Sequence, residues 1–204
     1  MYLTLITPAA SEVISMEEAF THLRIDGVAD SPPHVDYDLV ESLVKTARQH
    51  LEGRDGWLGR AFVTQQWKLT LDSFPGCHSR NGVIIHVPLP PLQSVDSITY
   101  IDTSGTTQTL DAADYQVDKT SVPARIAPAY GKTWPSTLNQ LATVNITFTA
   151  GYGNASAVPE PIKQAMLLLI GHFYEHREAV SPTAMAELPM AVMALCAPFR
   201  TFAV

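Results

Sequence analysis

The chain has 204 residues, 46% apolar and 16% charged, with a formal net charge of −7. That length can bury roughly 70% of the unfolded surface, so one sizeable core or two small ones are expected and wholesale disorder is excluded. The 13 basic residues are scattered without a run, which argues against a protein that grips duplex phosphates and in favour of protein partners.

The opening MYLTLITPAA lacks the basic start and the long apolar core of a signal peptide. Ser15 followed by Glu18 is a capping box, and it predicts a short helix over residues 16–25 with Ala19, Phe20 and Leu23 on one face. Residues 26–33 contain Gly and Pro and read as a loop. A second helix is predicted from Asp36 or Tyr37 to the Gly53 and Gly56 region, because Leu39, Val40, Leu43, Val44, Ala47 and Leu51 recur at helical spacing. Asp36 and Asp38 look like paired carboxylates, but acids at a helix start serve the dipole and cap amides.

The middle of the chain changes character. Residues 65–74, 83–87, 94–102, 115–118 and 144–150 are short, β-branched or aromatic segments. Turn signals separate them: Pro75-Gly76, Asn81-Gly82, the proline-rich residues 88–91, and residues 103–106, which read as a hairpin tip. Five or six strands are expected, in a small and mostly antiparallel β-domain between helices. There is no βαβ alternation, no G-x-G-x-x-G and no Walker lysine loop, so nucleotide-binding architectures are disfavoured. Asp111 and Asp114 read as loop residues before a strand. The tryptophans and tyrosines are not interleaved with basic residues, so packing is their expected role rather than nucleobase stacking. Cys77 and Cys196 lack metal-like spacing and read as two reduced thiols.

Helix returns after Gly153. Pro159 and Pro161 suit a first turn, where a missing N–H costs nothing. Ile162, Ala165, Met166, Leu169 and Phe173 form one stripe, and Leu167, Leu168, Ile170 and Tyr174 make this helix apolar almost all round. It should therefore be buried on several sides, within the subunit or between subunits. Gly171 in its interior implies close approach of another element. A last helix is expected over residues 188–196, and the apolar tail 188–204 is too short and too interrupted to cross a membrane. The fold class is thus α+β, with about four helices in residues 1–60 and 154–204 and the β-domain in residues 61–153.

The late helix also contains His172, Glu175 and His176, a literal H-x-x-E-H match to inverted zinc peptidases. Two histidines four apart share a helix face, and Glu175 is placed as a base. A third protein ligand is needed, and only Glu178 and Glu187 follow. The alternative is the solvated end of a buried packing helix. No G-x-S-x-G elbow occurs, and no other catalytic constellation rises above background.

Several dispersed pieces carry a resemblance when taken in order. They are Glu17, Glu18, Ala19, then His22 to Asp26; Ala47, Arg48, Leu51 and Glu52; residues 65–75, QQWKLTLDSFP; and residues 88–95, PLPPLQSV. Tyr115 to Val117, Ile126 to Pro128, Trp134-Pro135, residues 144–153 (VNITFTAGYG), Val158-Pro159 and residues 172–178 (HFYEHRE) follow. In this order the chain resembles the tailed-phage head–tail connector, or adaptor, proteins. His176 departs from that family's usual plain polar residue, so the H-x-x-E-H match looks incidental.

The resemblance implies a non-enzymatic subunit with a helical connector core and an inserted β-domain, without a cofactor or metal. It implies a ring, dodecameric in the virion and compatible with a monomer in isolation. Such a ring docks beneath the portal protein, extends the DNA channel, and receives a stopper or tail-completion protein. DNA would only pass through, and no membrane is involved. The expected location is the head–tail junction of the virion, and the host cytoplasm during assembly. The apolar helices nominate Ile162, Met166, Leu167, Leu168, Leu169, Ile170, Phe173 and Tyr174, with Leu43 and Ala47, for the packing and subunit interface.

Overall fold

The computed structural model describes residues 2–26, 34–76, 83–176 and 190–201. The chain divides into two compact units. Among the described residues, one comprises 2–10, 64–152 and 201, and the other 11–63 and 153–200. Among the described residues, four helices and two antiparallel sheets give a mixed α+β fold. The strands among them number eight, more than the five or six expected, and residues 2–10 belong with the sheets rather than with the helices.

The β-unit is built on a five-stranded sheet. Its strands are β1 (Tyr2–Thr7), β2 (Gln65–Leu71), β4 (Leu92–Ile101), β5 (Thr107–Thr109) and β8 (Val144–Ala150), in the order β1-β2-β8-β4-β5. β8 is central and alternates strictly: Val144, Ile146, Phe148 and Ala150 are buried, while Asn145, Thr147 and Thr149 are half-buried. This is a sheet with one face in the core. Leu69 and Ile98 sit opposite Ile146 on the two neighbouring strands. Each such fully buried side chain contributes about 1.5–3 kcal/mol. The other face is held by polar pairs. Thr70 Oγ1 and Asn145 Oδ1 are 2.8 Å apart, and Asp96 accepts from Ser94, Gln66 and Thr149 at 2.6–2.9 Å. A second sheet, ordered β3-β7-β6, joins β3 (Ile85–Val87), β7 (Ala124–Pro128) and β6 (Tyr115–Asp118), with Ile126 between Ile85 and Val117.

The expected hairpin tip is present between β4 and β5. Asp102 gathers four donors there: the amides of Ser104 and Thr106, the Ser104 hydroxyl and the Gln108 amide, at 2.5–3.0 Å. Gly105 supplies the positive φ of 84°. These bonds, led by the Ser104 hydroxyl, lower the Asp102 carboxyl to about 2 from an ordinary 3.8. A depressed carboxyl stabilises the fold above its unfolded value and loses that contribution as pH falls through the folded one. A carboxyl-carbon NMR titration should therefore place the Asp102 midpoint near 2. A midpoint near 4 would contradict the turn geometry.

The helical unit contains α1 (Met16–Leu23), α2 (Tyr37–Leu51), α3 (Glu160–Glu175) and α4 (Met190–Cys196). The capping box is complete, with Glu18 N–H donating to Ser15 Oγ at 3.1 Å and Ser15 N–H to Glu18 at 2.8 Å. α1 stops two residues before the expected 25 because Arg24 adopts a left-handed cap. α2 stops at Leu51, where Glu52 turns extended. α3 packs against each of the other three helices and buries Ile162, Ala165, Met166, Leu169 and Ile170. The close approach expected at Gly171 is real: a Cβ there would lie 3.4 Å from His22 Nε2 of α1. That is ordinary van der Waals contact, so Gly171→Ala should raise stability by about 0.5–1 kcal/mol through helix propensity. Urea denaturation measures it, and a loss would mean that the His22 ring cannot yield.

Cys196 is buried and free, and burial pushes its thiol up to about 11, so it packs as a small hydrophobe. Cys77, the Asn81-Gly82 turn and the first two residues of the expected last helix lie outside the described residues.

Candidate functional site

The residues nominated on α3 and α2 fall into two groups. Ile162, Met166, Leu169, Ile170 and Ala47 are fully buried within this one chain. Leu167, Leu168, Phe173, Tyr174 and Leu43 are half-buried and keep area that a neighbour can cover. The all-round apolarity of α3 therefore has a largely internal cause. Three helices of the same unit already pack against it.

Tyr174 carries a contact that spacing could not reveal. Its hydroxyl donates to Asp36 Oδ2 at 2.6 Å, joining the end of α3 to the start of α2. Asp36 does occupy the N-cap position, but its side chain makes no bond to a helix amide, contrary to the capping role expected of it. The residue's φ of −91° and ψ of 8° are not those of a side-chain cap, and the carboxylate turns to the tyrosine instead. The backbone N–H of Asp36 donates to His34 Nδ1 at 3.1 Å. Around this corner Phe20 packs against the rings of His34 and Tyr37, with centroids 5.9 and 6.0 Å away.

His172 and His176 share one face of α3, with ring centroids 4.7 Å apart. His176 Nδ1 lies 3.0 Å from the His172 carbonyl oxygen. A carbonyl only accepts, so Nδ1 is the donor in this contact. Among the described residues no three His, Cys, Asp or Glu side chains converge as metal ligands. Glu178 and Glu187 lie outside those residues.

The remaining candidates have structural partners. Asp111 caps a single 3-10 turn, Ala112–Asp114, by accepting from Ala113 N–H at 2.9 Å, and Asp114 pairs with Lys132 at 3.0 Å. A hollow of about 330 Å³ on the three-stranded sheet is lined by Asp118 and Arg125 among others. Arg125 grips Asp118 there through Nε and Nη2 at 3.1 and 2.6 Å. Hydroxyls of Ser121 and Thr120, with Arg125, hold the Asp118 carboxyl well below its usual range. The aromatics mostly pack: Phe74 stacks on Trp134 at 4.8 Å, and Arg200 lies 4.9 Å over the Trp57 ring. Tyr130 is fully exposed.

No family model and no curated relative matches the chain. Solved structures do match it. A chain from the neck of an empty gene transfer agent particle computed with C6 symmetry superposes with a TM-score of 0.78 at 27% identity, over 100% of this chain and 97% of that one. A chain from the virion of a native gene transfer agent particle gives 0.76 at 25%, with the same coverage. A third, from the neck of a native particle computed with C12 symmetry, gives 0.70 at 23% and shares the fold. The first of these neighbours comes from a particle neck and the second from a virion, and they support a structural protein of a phage-like particle.

Proposed function

We propose that this chain is a head–tail connector subunit that docks as a ring beneath a portal, extends the DNA channel, and offers a platform to a stopper or tail-completion protein. The likeness to a neck component over the whole chain, at a TM-score of 0.78 and 27% identity, carries this reading. Two of the neighbours come from necks computed with C6 and C12 symmetry, which favours a ring, and a dodecamer satisfies both. The net charge of −7 suits a channel that lets DNA slide, since few cations are available to hold phosphates. Among the described residues, no helix is long and apolar enough to cross a membrane. The subunit works in the virion neck and is made in the host cytoplasm.

In a closed ring each subunit presents two different complementary faces. The half-buried Leu167, Leu168, Phe173, Tyr174 and Leu43 belong to those faces, while the fully buried members of the nominated set hold the subunit together.

Particle imaging of the purified chain, alone and mixed with the portal of its own particle, tests the proposal. A twelvefold ring in either sample is expected, and its absence from both overturns the reading. Leu168→Asp should lower ring yield at least tenfold while the monomer still folds. Stoichiometric zinc that disappears in His172→Ala would favour a small zinc hydrolase using His172, His176 and Glu175 instead.

A further inference from the structure

α4 has the sequence MAVMALC, with no polar side chain in seven residues. Only Val192 and Cys196 are buried; Met190 is 87% and Met193 41% exposed, and Ala191 and Ala194 are exposed as well. An apolar helix with more than half its residues in water is built to be covered. Methionine is suited to such a contact because its unbranched thioether adapts to an irregular partner.

A surface of matching character lies elsewhere in the same unit. On α2, Leu39, Ser42, Leu43 and Thr46 follow the i, i+3, i+4, i+7 spacing of one helix face. Leu39 and Leu43 are half-buried, and Ser42 and Thr46 are exposed. Both hydroxyls are already satisfied within the helix: Ser42 Oγ donates to the Leu39 carbonyl at 2.7 Å, and Thr46 Oγ1 to the Ser42 carbonyl at 2.8 Å. Dehydrating this stripe therefore strands no donor. The flanking charges Glu41 and Lys45 pair with each other at 3.0 Å. α2 and α4 each pack on α3 but make at most marginal contact with one another, so they occupy different flanks of it.

We infer that α4 of one subunit packs through Met190, Met193 and Ala194 onto the Leu39, Ser42, Leu43 and Thr46 stripe of α2 in the next subunit. The inference rests on the ring reading above and names the contact that closes it. Two unlike faces on different flanks are what head-to-tail closure requires, whereas α4 meeting α4 would give a two-fold pair and stop. Neither face carries a charge, so contact buries no uncompensated ion. Three side chains on one face and four on the other fall short of the roughly 20–30 residues a side of a stable interface. Adjacent subunits then associate weakly in pairs and hold together once the ring closes on a template.

The test uses the full chain carrying Cys77→Ser, Met193→Cys and Thr46→Cys, mixed with the portal of its own particle and mildly oxidised. A covalent ladder rising to the full ring is expected, with each control that carries only one of the two introduced cysteines beside the buried Cys196 stopping at dimers. Met193→Glu should reduce ring yield at least tenfold with an unchanged melting temperature, because the side chain is exposed in the monomer. Rings that form without a ladder, or that survive Met193→Glu, overturn this contact and leave the ring reading standing. Rings of Met193→Glu that fail only to bind the portal assign α4 to the portal and also overturn it. No ring from the unmodified chain under any condition removes both.

Discussion

Replacing Arg48 with Met should lower the stability of the helical unit by about 3 kcal/mol, measured by urea denaturation. Arg48 sits on α2 and donates through Nε to Glu12 at 2.7 Å and through Nη1 to Glu52 at 2.8 Å. The Glu52 side chain is only 3% exposed, and its other oxygen accepts the Phe62 N–H at 2.7 Å. Methionine keeps most of the packing of the arginine stem but removes the cation that pairs with this buried carboxylate. The expected loss comes from burying a charge that has lost its counter-ion, not from the net strength of the pair. Arg48 is itself 24% exposed, so the lower end of the range for buried pairs applies. A double variant, Arg48→Met with Glu52→Gln, should recover about half the loss, since the amide is neutral and its carbonyl can still accept from Phe62. If the double variant is no better than the single, the loss arises from packing rather than charge.

Local signals made the helices and the central strand legible. The Ser15 and Glu18 pair marked the start of α1, the apolar spacing marked α2, and the alternation of residues 144–150 gave β8 with both its boundaries. Three strands escaped for separable reasons. β5 is Thr-Gln-Thr, with no apolar residue, and exists only because Asp102 folds the chain back onto β4. β7 offers Ile126 as its one large apolar side chain and ends at Pro128. β1 alternates well enough, but its partner β2 begins nearly sixty residues later, and pairing at that distance leaves no local mark.

The candidate surface was legible only in part. Apolarity on every side of α3 announces burial without saying by what, and the partners proved to be mostly α1, α2 and α4 of the same chain. The exposed methionines of α4 look like core residues in sequence. Their exposure depends on how the helix is docked. The family-like pieces, by contrast, acquire physical reasons in the fold. Ala47 and Leu51 fill the core, Arg48 and Glu52 form the buried ion network, and Tyr174 ties α3 to Asp36. Charged or hydroxyl-bearing residues in such pieces mark long-range bonds, which periodicity does not register.

Gly56→Ala should disrupt the segment between α2 and the buried Phe62 at least as severely as the loss of the ion network. Gly56 does not need a positive φ; its constraint is space. A Cβ placed there would lie 2.1 Å from the Glu52 carbonyl oxygen and 2.7 Å from the Leu51 carbonyl carbon. These are backbone atoms, so no side-chain rotation relieves the clash. The same turn sets Trp57 N–H on the His50 carbonyl at 2.9 Å and Leu58 N–H on the Leu51 carbonyl at 3.0 Å. It then delivers Leu58, Ala61 and Phe62, all fully buried, into the helical core. Opening the turn by the ångström or more that a methyl demands would pull on these bonds and on the Phe62 amide that satisfies Glu52. The expected cost is about 3 kcal/mol, at the upper end for overpacking, because the neighbours cannot yield. Combined with Arg48→Met, the two losses should fall short of their sum by about 1 kcal/mol, since both act through Glu52. Strict additivity in a double-mutant cycle would show that the turn and the ion network are independent.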